Sequence, residues 1–179
     1  WEYQPDKKKT GLQNQMRYMA CIKAHVSGLQ RVQWLDDEHL FSSAGNEEMY
    51  VWRMRRLDST YSAIAVMCEG VFKDKSPVGD LRIMDFDVSR RDDGVVLATL
   101  AFSNSALKTY EYHEGRFTLI CEGVYTGACL TQARHLLVDA ANGEMRVLTA
   151  ATDGHITLWE SKAESDGGST VQRYELVEA

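Results

Sequence analysis

Two short stretches read almost alike: Met67 to Phe72 runs Met-Cys-Glu-Gly-Val-Phe, and Ile120 to Tyr125 runs Ile-Cys-Glu-Gly-Val-Tyr. A thiol beside a carboxylate, written twice, is the raw material of a metal or redox site. Such a site needs about four converging ligands, and its usual trace is Cys-x-x-Cys or His-x-x-x-His. Neither spacing occurs among Cys21, Cys68, Cys121 and Cys129, and most of these lie in apolar runs. The expectation is therefore reduced, buried thiols acting as small fillers, with the glycine as a turn and each stretch marking the joint between repeated units. No metal is expected.

The five histidines, His25, His39, His113, His135 and His155, are scattered along the chain. A catalytic imidazole needs a nucleophile and an orienting carboxylate within reach, and no nucleophile elbow surrounds any serine. Asp153-Gly154 lacks the alternating carboxylates of a calcium loop, because Thr157 and Trp159 occupy those places. There is no phosphate-cradling glycine loop followed by lysine and no glycine-rich methyl-donor motif between strand and helix. The chain is read as non-catalytic and without a cofactor.

The remaining candidates are cations. Lys7, Lys8 and Lys9 form a run in a polar stretch, and Arg53, Arg55 and Arg56 follow Trp52. Alternation along a strand puts Arg53 and Arg55 on one face and Arg56 on the other. With Arg91, these are the residues expected to contact RNA phosphates or a partner, against the plainer reading of ordinary surface charge. The net charge of −6 disfavours nonspecific nucleic-acid binding by the chain as a whole.

These residues sit on a repeated framework. The 179 residues are 44% hydrophobic and 26% charged, enough apolar material for a core, and no apolar run reaches the roughly 20 residues of a membrane-spanning helix. Trp1, Trp52, Tyr110 and Trp159 recur about every 50 residues. Ahead of Trp52, Tyr110 and Trp159, a turn residue (Asn46, Asn104, Asp153) stands at a constant offset. Each period holds four short segments rich in β-branched and aromatic residues, separated by Gly, Asp, Asn or Ser. Strands are predicted over 29–35, 39–44, 49–53 and 63–68; over 81–88, 95–102, 106–112 and 117–121; and over 129–135, 146–151, 155–160 and 171–177. An outer strand at 17–22 would precede them.

At these residues the sequence resembles the WD-repeat β-propeller family. The signs are Trp1-Glu2, Trp159-Glu160, the Asp153-Gly154 turn and His25 opening a repeat. The resemblance implies an all-β propeller segment: part of one blade at 1–25 and complete four-stranded blades at about 26–70, 71–123 and 124–179, forming a fragment of a larger propeller. It also implies a structural hydrogen-bond set of His25, Ser42, Asn46 and Trp52, with a second of Thr149, Asp153 and Trp159.

Arg17 to Met19, Asp80 to Asp85, Thr126 to Thr131 and Leu148 to Gly154 resemble, more narrowly, the WD-repeat subunits that partner the tRNA 2′-O-methyltransferase of the anticodon wobble nucleotide. That resemblance implies a cytoplasmic regulatory scaffold that positions tRNA, with S-adenosylmethionine and methyl transfer belonging to the partner enzyme. The alternative is a general protein-interaction scaffold, for example in vesicle trafficking and endosomal recycling. Either way the outer faces of the end blades would need covering by the remaining blades of a parent protein or by another copy.

Overall fold

A computed structural model describes residues 2–3, 16–57, 64–77, 79–139, 144–162 and 171–177. Every regular element among them is a strand: β1 (Glu2–Tyr3), β2 (Met16–Arg17), β3 (Leu29–Trp34), β4 (His39–Ala44), β5 (Glu48–Arg56), β6 (Ile64–Val71), β7 (Ile83–Arg90), β8 (Val96–Phe102), β9 (Ala106–His113), β10 (Arg116–Val124), β11 (Leu130–Asp139), β12 (Glu144–Ala151), β13 (Ile156–Lys162) and β14 (Gln172–Val177). The outer strand expected at 17–22 is not formed: β2 stops at Arg17 and pairs only with β1.

From β3 onward the chain makes three antiparallel meanders, β3 to β6, β7 to β10 and β11 to β14. The propeller of separate four-stranded blades is not what they build. The first meander is a four-stranded sheet on its own, whereas the second and third fuse into one eight-stranded sheet in the order β11-β12-β13-β14-β10-β9-β8-β7. Its two end strands, β11 and β7, lie against each other, so this sheet curls into a nearly closed barrel.

The physical cause of the fusion is local. The β9–β10 ladder slips at Leu119/Cys121, a bulge that bends β10, and directly beyond it Cys121 and Glu122 pair in parallel with Gln172 and Arg173 of β14. An edge strand presents unpaired backbone groups, and β14 takes them. Sequence periodicity fixes which face a side chain takes, but it does not say which edges will meet.

Two cores result. Phe41, Met49, Val51 and Phe72 of the first meander and its exit pack on Phe86, Val88, Ala98, Leu100 and Tyr110 of the second. Inside the curled sheet, Leu97, Ala101, Leu107 and Cys121 meet Ala133, Val147, Trp159 and Tyr174. Strand β8 belongs to both: its even-numbered residues face the first core, its odd-numbered ones the second, and all seven residues from Val96 to Phe102 are buried. An uninterrupted apolar run is what a strand covered on both faces requires.

Both glycines of the repeated Cys-Glu-Gly-Val stretch lie inside strands, β6 and β10, not at turns. A Cβ on Gly70 would stand 2.8 Å from the Tyr112 ring, and one on Gly123 would stand 2.7 Å from Tyr174 Cβ. The aromatic that follows reaches forward in each copy. Phe72 meets Tyr110 edge to face at 5.1 Å, and Tyr125 meets Trp159 likewise at 6.4 Å. The stretch is therefore a clasp: glycine admits the next meander, and the aromatic docks on it. The cysteines diverge, since Cys121 is buried while Cys68 and Cys21 are exposed, which corrects the expectation of uniformly buried thiols.

Candidate functional site

Ser42 in β4 and Trp52 in β5 face the same way, and Trp52 Nε1 donates to Ser42 Oγ at 2.8 Å. With that oxygen accepting, the Ser42 hydroxyl is left to donate to His25 Nε2, also at 2.8 Å. His25 Nδ1 then points its proton at Glu48 Oε2, 3.2 Å away, and the same oxygen accepts from Val26 N at 3.1 Å. Three of the four residues named from sequence thus meet, but the carboxylate is Glu48 and not Asn46. Asn46 occupies the β4–β5 turn at φ 56°, where its carbonyl accepts from Lys75 Nζ at 3.0 Å. A short polar residue in the left-handed region is favoured there for turn formation.

The third meander carries a shorter version. Trp159 Nε1 donates to Thr149 Oγ1 at 2.8 Å, and Thr149 shares a 2.7 Å bond with Thr157 Oγ1. Asp153 stands apart in the β12–β13 turn, accepting from His155 N at 3.1 Å and from Tyr125 OH at 2.9 Å. It reaches Trp159 only through the Tyr125 ring. The His155 amide holds the Asp153 carboxyl below the usual carboxylate range.

A further polar system was not legible from sequence. His135 of β11 takes Ser89 Oγ at 2.8 Å on Nδ1 and Thr99 Oγ1 at 2.7 Å on Nε2. Thr99 bonds Thr109 at 2.6 Å, and Thr109 bonds Tyr174 OH at 2.6 Å. This relay crosses the inside of the curled sheet from β7 to β14. Burial pushes the His135 imidazole down, offset in part by the nearby Asp87 carboxylate, so the ring is held neutral. The only sequence trace was the spacing: Thr99 and Thr109 stand ten apart, as Ser42 and Trp52 do.

Asp85 and Asp87 of β7 tie together the first strands of the three meanders, β3, β7 and β11. Asp85 pairs with Arg31 of β3 at 3.0 Å, accepts from Ala133 N at 3.0 Å, and takes the Arg134 guanidinium. Asp87 accepts from Gln33 Nε2 at 2.7 Å and His135 N at 2.8 Å.

The cations expected to meet RNA are placed as follows. Arg53 donates to Glu38 at 3.0 Å and to Glu69 at 3.3 Å, and Arg55 stands 3.6 Å from Glu38, so the two do share a face. Arg91 forks onto Asp93 at 2.7 to 3.0 Å, with Glu111 at 3.6 Å. Arg56 ends β5 on the exposed margin. Lys7, Lys8 and Lys9 lie outside the described residues.

Where the first meander diverges from the second, a cleft of about 850 Å³ opens between His39, Phe41, Glu69, Arg90, Glu111 and Tyr112. His39 sits in it between two carboxylates, with Nδ1 2.8 Å from Asp36 and Nε2 3.4 Å from Glu69. Burial alone would raise the Asp36 carboxyl, but the Glu38 amide, the His39 ring and the His39 amide hold it down at about 2. No group of three or more His, Cys, Asp or Glu among the described residues is placed to hold a metal ion. No helix among them is long and apolar enough to cross a membrane.

No family model matches the chain, and no curated protein matches it. Membership of the WD-repeat family, expected from the spaced Trp and Asp-Gly signs, is therefore corrected on two grounds: no family model covers those signs, and the strands they lie on join a curled eight-stranded sheet.

Proposed function

We propose that this chain is a non-catalytic scaffold, the part of a regulatory subunit that holds tRNA in register with a partner enzyme methylating the 2′-oxygen of the anticodon wobble nucleotide. The observation that supports a scaffold is where the acid–base groups went. His25, His39 and His135 are each gripped from both ring nitrogens by serine, threonine or carboxylate partners that stabilise the fold. Positioning alone lowers a reaction barrier by fixing orientation, so a subunit without chemistry of its own still raises a rate.

The tRNA reading rests on the four sequence stretches given above and not on the fold. It is tested by deleting the parent protein and measuring ribose methylation at the wobble nucleotide. Loss of the methyl group, restored by re-expression, supports it; unchanged methylation sinks it.

A general protein-interaction scaffold is the second reading, favoured by the arginines. Arg53, Arg55 and Arg91 already lie beside carboxylates, which lowers their value as phosphate ligands. Reversing Arg53 and Arg55 to Glu separates the two: tRNA affinity and its salt dependence fall only if these arginines contact phosphate.

A further inference from the structure

The three meanders can be superposed residue by residue from their ladders, because Leu40↔Trp52, Ala98↔Tyr110 and Val147↔Trp159 are equivalent pairs. Each meander then has a forward face and a rear face. The forward face of the first, with Phe41, Met49 and Val51, packs on the rear face of the second, with Phe86, Ala98 and Tyr110. The forward face of the second, with Leu97, Ala101 and Leu107, packs on the rear face of the third, with Ala133, Val147 and Trp159. The same contact is made twice.

Among the described residues two faces still carry bare apolar side chains at positions these contacts cover, although on the rear face of the first meander Leu40 and Trp52 are already buried and the bare part is β3. On the forward side, the pairs Ser43↔Met49, Ala101↔Leu107 and Ala150↔Ile156 are equivalent. Met49 and Leu107 are 0% exposed, whereas Ile156 is 70% exposed. On the rear side, Val32, Phe86 and Ala133 are equivalent through Val32↔Ser42, Phe86↔Leu100 and Ala133↔Thr149. Phe86 and Ala133 are 0% exposed, whereas Val32 is 53% exposed, with Trp34 beside it exposed to the same extent. A residue type that is buried in two copies of a repeat and bare in the third marks a missing neighbour, not a surface selected for water.

We propose that the forward face of the third meander docks on the rear face of the first meander in a second copy of this chain, a head-to-tail contact that repeats the two already made inside the molecule. The occupant follows from that continuity, since the shape and chemistry Val32 and Trp34 are built to meet are those of a forward face, and the chain carries one uncovered. Such a contact is heterologous: each copy uses two different patches and can engage two neighbours. Nothing in it depends on the tRNA reading.

The test uses the 179-residue chain in sedimentation velocity. Wild type is expected to sediment faster with rising concentration up to roughly 100 μM, a hundredfold above a micromolar Kd. Ile156→Asp and Val32→Asp, both at exposed positions, are each expected to raise the Kd about a thousandfold, so that each alone stays largely monomeric up to roughly 100 μM, while keeping the wild-type melting temperature. The decisive arm mixes the two variants. Val32→Asp keeps an intact forward face and Ile156→Asp an intact rear face, so the mixture forms a dimer although neither variant does alone. A wild-type chain that stays monomeric, a mixture that stays monomeric, or one variant that still self-associates overturns the proposal and assigns these faces to another partner.

Discussion

His135 Nε2 lies 2.7 Å from Thr99 Oγ1, beside the line where β11 lies against β7 and β8. Ser89 holds the other ring nitrogen at 2.8 Å, so the imidazole is fully bonded without a charge. The ring that closes the curled sheet is therefore the one whose protonation would disturb it.

From this follows a pH dependence of stability. Burial lowers the His135 pKa in the fold relative to the unfolded value near 6.5, so the unfolded chain binds the proton more readily. The contribution is fully present above about pH 6.5 and is lost as pH falls toward the folded value. Denaturant midpoints are expected to drop between about pH 7 and pH 5 in wild type, and to drop less in His135→Gln. Equal slopes for the two proteins would show that another group dominates.

Below that window Asp36 takes over. Its folded pKa of about 2 lies under the ordinary 3.8, so its stabilising contact with the Glu38 and His39 amides and the His39 ring persists above about pH 4 and fades as pH approaches 2. Asp36→Asn should be less stable than wild type at neutral pH, and the two should converge in acid. The residue is partly exposed, so the effect is modest. Urea titrations at pH 7 and pH 2.5 measure it.

The two tryptophan hubs predict matched losses. Ser42→Ala leaves Trp52 Nε1 and His25 Nε2 without their common partner, and Thr149→Val does the same to Trp159 Nε1. Each is expected to cost about 1–3 kcal/mol, the desolvation penalty of a stranded buried donor. Tryptophan emission should shift in both, because the indole nitrogen loses its bond. A loss below about 0.5 kcal/mol would mean that water enters to replace the hydroxyl.

For the clasp glycines the order of damage is predictable. In Gly123→Ala the new methyl meets Tyr174 Cβ at 2.7 Å and the Tyr174 carbonyl at 3.3 Å, atoms fixed by β14. In Gly70→Ala it meets the far edge of the Tyr112 ring, which can swing. Overpacking of this kind costs about 1–3 kcal/mol, with Gly123→Ala at the upper end and Gly70→Ala at the lower. Thermal melts of the two variants decide it, and the reverse order would show that β14 yields more easily than Tyr112.

Much of the strand plan was legible because β-branched and aromatic residues alternate between Gly, Asp and Asn punctuation, as in Leu29 to Trp34 and Ala106 to Tyr112. The Ser42–Trp52 and Thr149–Trp159 contacts were expected through the resemblance alone; in the structure a ten-residue offset around a tight turn places the two side chains on one face. What was not legible is every contact set by how sheets approach each other. Glu48 displaces Asn46 because the entry of His25 and Val26 presents a ring nitrogen and an amide to it, a geometry no local pattern encodes. The pairing of Cys121 with Gln172 joins residues far apart in sequence through a bulge, and it turned two expected separate sheets into one. The pairing of Arg53 with Glu38 and Glu69 likewise depends on a loop and a neighbouring strand, so a run of arginines that looked available is already engaged.

The clasp at Tyr125 and the two-sided burial of β8 also set an order for synthesis at the ribosome. Leu97, Ala101, Leu107 and Cys121 share their core with residues from Leu130 to Tyr174. After Cys121 is made, about 50 more residues must follow, which at 5–20 residues per second takes on the order of 3–10 s. Through that interval the nascent chain carries a finished meander with one apolar face bare, a natural client for chaperones that shield hydrophobic surface beside the exit tunnel.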